Sequence, residues 1–522
     1  MTSVHPELEI KYDVDDDFEL PPLPGLMAGH GGVAPVTEGE PVTHRLEATY
    51  FDTPDHRLAR AHLTLRRRTG GDDAGWHLKV PSVDGARQEV RVALGRSTVS
   101  VPSSLLKLVW VRSRGEALVP VASIVTERTV RHVLDATGQV VVEVADDRVE
   151  AKRLPVGDGD SSAGAASSSW REIEVELRSA DREWLDVLDA RLRELGVRVA
   201  DSQSKLARVL DVDGTPAAPS QPGRGKAKRP SPKSPAGDVV LQYVREQVDQ
   251  ILSNDPQVRV DTPGAVHKMR VATRRLRSAL QTFKPVLRSE AVRPLRDELK
   301  WLAGELGAAR DAEVLRDRLV NAIAEEDRER LGPLGDSAEA EMSKAYRAAH
   351  DELLQALDSE RYHRLVLALD ELHASPPLTG KAGQPAAQVL PRSAERAYAR
   401  VSGLVEAIHT TPPGDERERH LHEARKAAKK ARYAGETMAE FFGKPATRFA
   451  SAMEQIQTEL GEHQDSVVMR TRIAQLAEEA TPAAAFAYGR LHALEQARAE
   501  RAEETFWAKE PQLRKALDRA AR

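Results

Sequence analysis

Two periodicities divide the chain. Up to about residue 180, apolar and polar side chains alternate in short runs, among them "RLEATYFDT", "LTLRRR", "GWHLKVP", "RQEVRVAL", "QVVVEVADDRVEA" and "WREIEVELR". Period two predicts strands, each with one apolar face. Turn sequences such as "TGGDDAG" and "VDGA" separate the runs, which is the pattern of an antiparallel sheet. "DREWLDVLDARLRELG" then takes helical spacing and stops at Gly196. After residue 238, Ala, Leu, Arg and Glu recur at helical period with proline confined to breaks, so the second half is predicted all-α, with a loop at 374–391. Between the halves, "GTPAAPSQPGRGKAKRPSPKSPAG" holds Lys and Arg but no acid and cannot bury a core. The expected organisation is α+β in two domains: an N-terminal β-domain 1–212, a flexible basic linker 213–237 and an α-helical domain 238–522.

Charge sharpens the picture of the first half. Near the start, in "VHPELEIKYDV", Glu7, Glu9 and Lys11 fall two apart and share a strand face, leaving the other to Leu8 and Ile10. Arg66 and Arg68 share a face, as do His77 and Lys79, and Arg87, Glu89 and Arg91. Glu172, Glu174 and Glu176 line one face of the last strand, opposite Ile173, Val175 and Leu177. A half-exposed sheet would simply turn such charges to water. Here the pattern repeats strand after strand and sorts by sign, with acid on the first and last strands and base between. A sheet closed on itself packs its apolar set outward and lines its lumen with charge. Clustered carboxylates suit a hard cation such as Mg²⁺ or Mn²⁺, and facing cations suit phosphate oxygens. Together they form the apparatus of phosphoryl transfer.

"ELEIK" resembles the E-x-E-x-K signature of the CYTH superfamily, the triphosphate tunnel metalloenzymes. It is followed in order by "TYFDTPDHRLARAHLTLRRR", "HLKVP", "RQEVRV", "VVVEVADDRV", "WREIEVEL" and "SQSKLARVL". The resemblance implies an eight-stranded antiparallel tunnel that binds a triphosphate with Mg²⁺ or Mn²⁺ and hydrolyses the terminal phosphate; a smaller branch cyclises ATP. It implies metal ligation by Glu7, Glu9, Glu174 and Glu176, with Glu172 as a further candidate. Lys11, Arg66, Arg68, Lys79, Arg91 and Arg128 would grip phosphate oxygens, with Lys205 near the tunnel mouth. Glu143 and Asp146 match acidic positions that place water or metal. The segment "PPLPGLMAGHGGVAPVTEGEPV" departs from the pattern and is expected to form a longer lid.

The helical half contains a duplication. "VHKMRVATRRLR" matches "LHEARKAAKKAR" at an offset of 155 (His267 to His422), and "ELGAARDAEVLRDRL" matches "ELGEHQDSVVMRTRI" at 154 (Glu305 to Glu459). At 100° per residue, His267, Arg270, Arg274 and Arg277 fall in one stripe, as do His422, Arg425, Lys429 and Arg432. Arg275 and Lys426 adjoin these stripes. Seven Lys/Arg and no acid lie between Val266 and Ser289. A solvated face mixes signs; like charges in a row call for a polyanion. Neither His267 nor His422 has a second His four residues away, which speaks against zinc. This half resembles the CHAD domain, a conserved histidine α-helical module found fused to CYTH domains, and the resemblance implies inorganic polyphosphate as its ligand.

Composition sets the outer limits. Across 522 residues there is no cysteine, which removes disulfides and thiolate sites. No run is long enough to span a membrane, and the acidic N-terminus is unlike a signal peptide. A cytoplasmic protein is expected, associated with polyphosphate granules if the helical half binds them. Three readings compete: a metal-dependent triphosphatase with a polyphosphate-holding helical domain, a non-catalytic polyphosphate-binding protein, and a nucleic-acid binder. The last is disfavoured, because aromatics are 4% and no stacking platform is visible. Thiamine triphosphate and ATP stay open as alternative substrates, and oligomeric state is not readable.

Overall fold

The computed structural model describes residues 2–27, 36–81, 87–95, 97, 100–156, 167–179, 182–202, 204–210, 231–325, 328–412 and 414–520. They form two compact units, Met1–Pro222 and Gly223–Arg522. Most of the expected linker, 213–230, lies outside the described residues. Its last residues belong to the helical unit: a helix begins at Ala236, whose N–H donates to the Gln384 carbonyl at 2.8 Å.

The first unit is one antiparallel sheet. Its strands are β1 (Thr2–Glu7), β2 (Glu9–Val14), β3 (Thr37–Glu38), β4 (Val42–Asp52), β5 (Thr64–Thr69) and β6 (Gly75–Pro81). They continue with β7 (Arg87–Ala93), β8 (Val119–Leu134), β9 (Val140–Arg153), β10 (Ser167–Leu177) and β11 (Arg198–Val199). The order is β1-β7-β6-β5-β4-β8-β9-β10-β2-β11, with β3 on β8. Only Leu8 separates β1 from β2, yet β1 pairs with β7 and β2 with β10. The expected eight-stranded closed tunnel is therefore corrected in its construction. Ten strand segments form an open hydrogen-bonded path with β3 beside it on β8, and the run that changes partner at Leu8 joins its two sides. Strand tilt explains the split, since a tilted strand meets different neighbours at its two ends.

The apolar faces pack outward. Tyr12, Val142, Val144, Ile173 and Val175 are buried in one cluster with Leu185, Leu188 and Leu192 of the helix Arg182–Glu194, and Leu8 and Ile10 pack against it. The described parts of the expected lid join this same outer cluster through Leu20, Leu23, Leu26 and Met27. Arg131 donates to the Leu20 carbonyl at 3.2 Å and lies 3.6 Å from Glu38, so these parts are clamped to the outside of the sheet rather than over its lumen. Residues 28–35 lie outside the described residues. Inside, Leu206 and Leu210 of the helix Lys205–Leu210 pack with Ala48, Tyr50, Ile124 and Val149, filling one end.

The second unit repeats four helices in the same order: Ala236–Arg259, Ala265–Thr282, Ser289–Glu325 and Arg328–Leu357, then Pro391–Thr410, Asp415–Phe442, Lys444–Glu479 and Pro482–Ala520. Between the copies lie the helix Glu360–Ala374 and the expected loop, which contains short turns at Gly380–Gly383 and Ala386–Val389. Leu315 and Leu319 share one buried cluster with their repeat equivalents Met469 and Ile473. Equivalent residues meet in this way near a two-fold axis, so the duplication folds as a pseudo-symmetric pair.

Candidate functional site

The inward faces of the sheet line a cavity of about 290 Å³, close to the lower end of ligand-sized pockets (about 300–1,000 Å³). Register decides which residues reach it. Glu9 stands opposite Glu176, Lys11 opposite Glu174, and Glu174 opposite Ala145 on the other side. Glu9 and Lys11 thus share the inner face with the β10 carboxylates, while Leu8 and Ile10 turn outward. The side chain of Glu7 lies outside the described residues.

Glu174 is the centre of the acidic side. It accepts hydrogen bonds from Lys11 and Arg128, and from Lys205 at 2.7 Å. Burial alone would raise its carboxyl, but the charges of Lys11, Lys205 and Arg128 prevail and hold it well below the usual range. Arg128 also forms a fork on Asp147 at 2.6 and 2.7 Å. The Lys205 ammonium lies 2.8 Å from Asp147 and 2.7 Å from both Glu172 and Glu174. Oxygens of these three buried carboxylates lie within 4.8 Å of one another, close enough to share a metal ion. Carboxylate oxygens suit a hard cation, and in this structure the Lys205 ammonium stands at their focus. Glu9 lies 3.3 Å from Lys11 and 3.8 Å from Lys79. Glu176 is held by Arg178 at 2.9 Å.

The basic side is built on β5, β6 and β7. Arg66 faces His77 across the β5–β6 pair, Lys79 faces Glu89 across β6–β7, and Arg91 faces His77. Glu89 accepts from Arg91 at 2.6 Å, contacts His77 Nδ1 at 3.0 Å and lies 3.7 Å from Arg66. Burial opposes ionisation of Glu89, but His77, Lys79 and Arg66 hold its carboxyl far below the ordinary range. Arg68 pairs with Asp73. Burial, followed by the charges of Arg66 and Arg128, pushes Arg68 down to about 9. Cations this crowded are poised for an added anion.

Asp146 is a correction. It faces Ile173 on the outer side of the sheet, where Arg171 grips it at 2.7 and 2.9 Å. Asp147, one residue on, faces the cavity instead. Period two from Glu143 leads through Ala145 to Asp147, so the alternation itself carried the signal. Glu143 does line the cavity, where Arg178 donates to it at 2.8 Å and His132 Nε2 lies 3.3 Å away. Tyr50, Asp73, His132 and Arg178 are lining residues that the strand-by-strand reading leaves out, and that reading places Glu89 on the face of Arg91 without giving it a role.

In the second unit the two stripes meet. Lys429 is half-buried, and burial together with Arg274, Arg425 and Arg270 pushes its ammonium down to about 7. Arg274 is also pushed down, by burial and by Arg270, Arg277 and Arg425, against the pull of Tyr433. Arg270 lies 3.7 Å from Asp311 and Arg425 2.8 Å from Asp465, the equivalent pair. A Cβ placed on Gly307 would stand 3.6 Å from the Arg270 guanidinium, and one on Gly461 3.6 Å from that of Arg425, so the same packing recurs in both copies. His267 is exposed and His422 half-buried beside these clusters. Three expected members are otherwise engaged. Arg275 pairs with Glu436 at 2.9 Å, Arg432 pairs with Glu436 at 2.7 Å, and exposed Lys426 pairs with Glu423 at 3.0 Å. They are corrected to partners of local acids, which cancel their charge.

The CYTH domain family, whose members are of the triphosphatase and cyclase type, matches residues 6–208, and the buried acidic cluster is compatible with a divalent metal. The CHAD domain family matches 242–474. An uncharacterized protein of Mycobacterium tuberculosis strain H37Rv, Rv2226, is 38% identical over 537 residues, spanning 99% of this chain and 97% of its own. The chain belongs to the family of proteins that join a CYTH domain to a CHAD domain. PptA from Streptomyces chartreusis is 26% identical, covering 53% of this chain and 99% of its own at a TM-score of 0.42. The CHAD domain from the plant Ricinus communis is 26% identical, covering 57% and 96% at 0.42.

Proposed function

We propose that the protein hydrolyses inorganic triphosphate or short polyphosphate in the tunnel, with a divalent metal, and binds polyphosphate on its helical unit. One observation carries the first part: Lys11, Arg66, Arg68, Lys79, Arg91, Arg128 and Lys205 converge on a single small cavity whose far wall is carboxylate. In this reading Asp147, Glu172 and Glu174, with Glu9 and Glu176 nearby, hold Mg²⁺ or Mn²⁺. The metal would supply charge neutralisation at the phosphate oxygens. Arg66, Arg68, Lys79 and Arg91 bind the phosphates and orient the chain, and Glu143 accepts a hydrogen bond from the attacking water. Water adds to the terminal phosphorus as the bridging P–O bond breaks, giving orthophosphate and pyrophosphate. Tyr50, the tyrosine named above in the lining, is buried, and its hydroxyl accepts from Arg66 at 3.4 Å, so little of its ring is open for stacking. That favours an inorganic chain over ATP or thiamine triphosphate.

The second part rests on the pooled Arg270, Arg274, Arg425 and Lys429. Among the described residues no helix is long and apolar enough to cross a membrane, and a cytoplasmic place at polyphosphate granules belongs to this reading. The test is phosphate release from tripolyphosphate, pyrophosphate, ATP and thiamine triphosphate, each with Mg²⁺ and with Mn²⁺. Tripolyphosphate should be turned over fastest, and Glu9→Gln with Glu174→Gln should abolish turnover. Undiminished turnover in excess chelator would refute the metal role.

A further inference from the structure

The inner positions of the two basic stripes are matched, but the outer ones are not. In the second copy Arg432 lies 2.7 Å from Glu436 and 2.9 Å from Glu454, and Arg275 reaches the same Glu436 at 2.9 Å. The repeat equivalent of Arg432 is Arg277, which has no carboxylate partner among the described residues. The sequence explains the difference: Gln281 stands where the second copy has Glu436, and Lys300 where it has Glu454.

Past Arg277 the cations continue. Arg296 is the charge that, after burial, lowers Arg277, and Lys284, Arg400 and Arg296 do the same to Lys430. Arg296 keeps a buried Nε without a hydrogen-bond acceptor. In this group Arg400 alone reaches an acid, Glu423 at 3.7 Å. One flank of the central cluster is thus a row of uncompensated cations, and the other is sealed by two carboxylates.

We propose that the polyanion site of the helical unit is one-sided. A linear polyphosphate seated on Arg270, Arg274, Arg425 and Lys429 leaves it along Arg277, Arg296, Lys284 and Lys430, and in no other direction. This rests on the polyphosphate reading above. Like charges held close repel unless an anion lies between them, so the first flank gains from each added phosphate. On the second flank Glu436 and Glu454 already occupy Arg432 and Arg275, so neither arginine is left to a phosphate. The duplicated fold therefore carries a single path, and the cluster receives a chain end.

The test measures binding of long-chain inorganic polyphosphate to the full-length protein across a salt series, with variants checked for equal melting behaviour. Each lost phosphate contact lowers the slope of log affinity against log salt by roughly 0.7. Replacing Lys284, Arg296 and Lys430 together by Ala should therefore lower the slope by about 2. Arg432→Ala should leave affinity and slope unchanged. Glu436→Gln with Glu454→Gln should free Arg432 and raise both, a gain that misfolding cannot produce. Equal losses from Arg277→Ala and Arg432→Ala, or an unchanged slope in the triple variant, would overturn the one-sided path. Absence of salt-dependent binding by the unaltered protein would instead overturn the polyphosphate reading and this inference with it.

Discussion

Lys205 holds together three carboxylates that would otherwise repel one another, and this makes it the most informative single residue of the tunnel. Its ammonium is buried among Asp147, Glu172 and Glu174, whose attraction outweighs burial and lifts it well above the ordinary lysine range. Lys205→Met removes the charge and keeps most of the packing. Uncompensated buried charge costs about 3–5 kcal/mol, so the melting temperature should fall in metal-free buffer. Added Mg²⁺ or Mn²⁺ should restore part of it, since a divalent ion suits the vacated focus. An equal fall with and without metal would show that the triad does not bind one. Lys429 is the counterpart in the helical unit. It faces Arg270, Arg274, Arg425 and Asp465, and its ammonium is pushed down to about 7. A bound polyanion favours the charged form, so binding takes up a proton between about pH 7 and the ordinary lysine range. Affinity should then weaken as pH rises through that window, by at most about tenfold per pH unit, and Lys429→Arg should flatten the profile. An unchanged pH profile in Lys429→Arg would assign the effect to another group. At this scale residue types were readable from the sequence, but partners were not. Arg432 and Arg277 look alike in the repeat motif, and the difference lies outside it, where Glu436 and Glu454 stand against Gln281 and Lys300.

At the scale of elements, alternation did most of the work. Period two assigns Leu8, Ile10, Ile173 and Val175 to one side and Glu9, Lys11 and Glu174 to the other, and the structure separates them in that way. What alternation cannot show is where a strand changes neighbours, so the break at Leu8 was hidden. Nor does it reveal that a Pro- and Gly-rich insertion packs as an outer clamp, because its Leu20, Leu23, Leu26 and Met27 follow no long period. The motif "TYFDTPDHRLAR" has an architectural component of the same kind. Buried Asp52 accepts N–H donors from Thr53 at 2.7 Å, Leu58 at 2.8 Å and Ala59 at 2.9 Å, which builds the turn from β4 into β5. Asp52→Ala strands these donors, each worth about 1–3 kcal/mol when left unsatisfied. The variant should unfold several degrees earlier, while Asp52→Asn, which keeps one acceptor oxygen, should lose less. Equal stability of the two would mean that water or a shifted loop satisfies the donors.

For the whole molecule, the decisive fact is that two chemically different clusters of charge occur in separate compact units, the cavity of the first and the pooled cations of the second. The tunnel is a small cavity walled by both signs of charge, which limits it to a short, highly charged segment. The helical cluster is a surface of pooled cations whose attraction grows with the number of phosphates it can reach. Sequence could announce both, because charge sorting and duplication are long-range patterns. It could not give their capacities, which depend on cavity size and on which arginines are already paired. The two sites should therefore separate by ligand length. Titration with tripolyphosphate should be dominated by the tunnel, and Arg66→Ala with Arg68→Ala should remove that heat while leaving binding of long polyphosphate nearly intact. Arg270→Ala with Arg425→Ala should do the reverse, weakening long-chain binding steeply and sparing tripolyphosphate turnover. If either pair abolished both signals in a protein that still melts cooperatively, the sites would be one continuous surface, and the division of labour between tunnel and helices would fail.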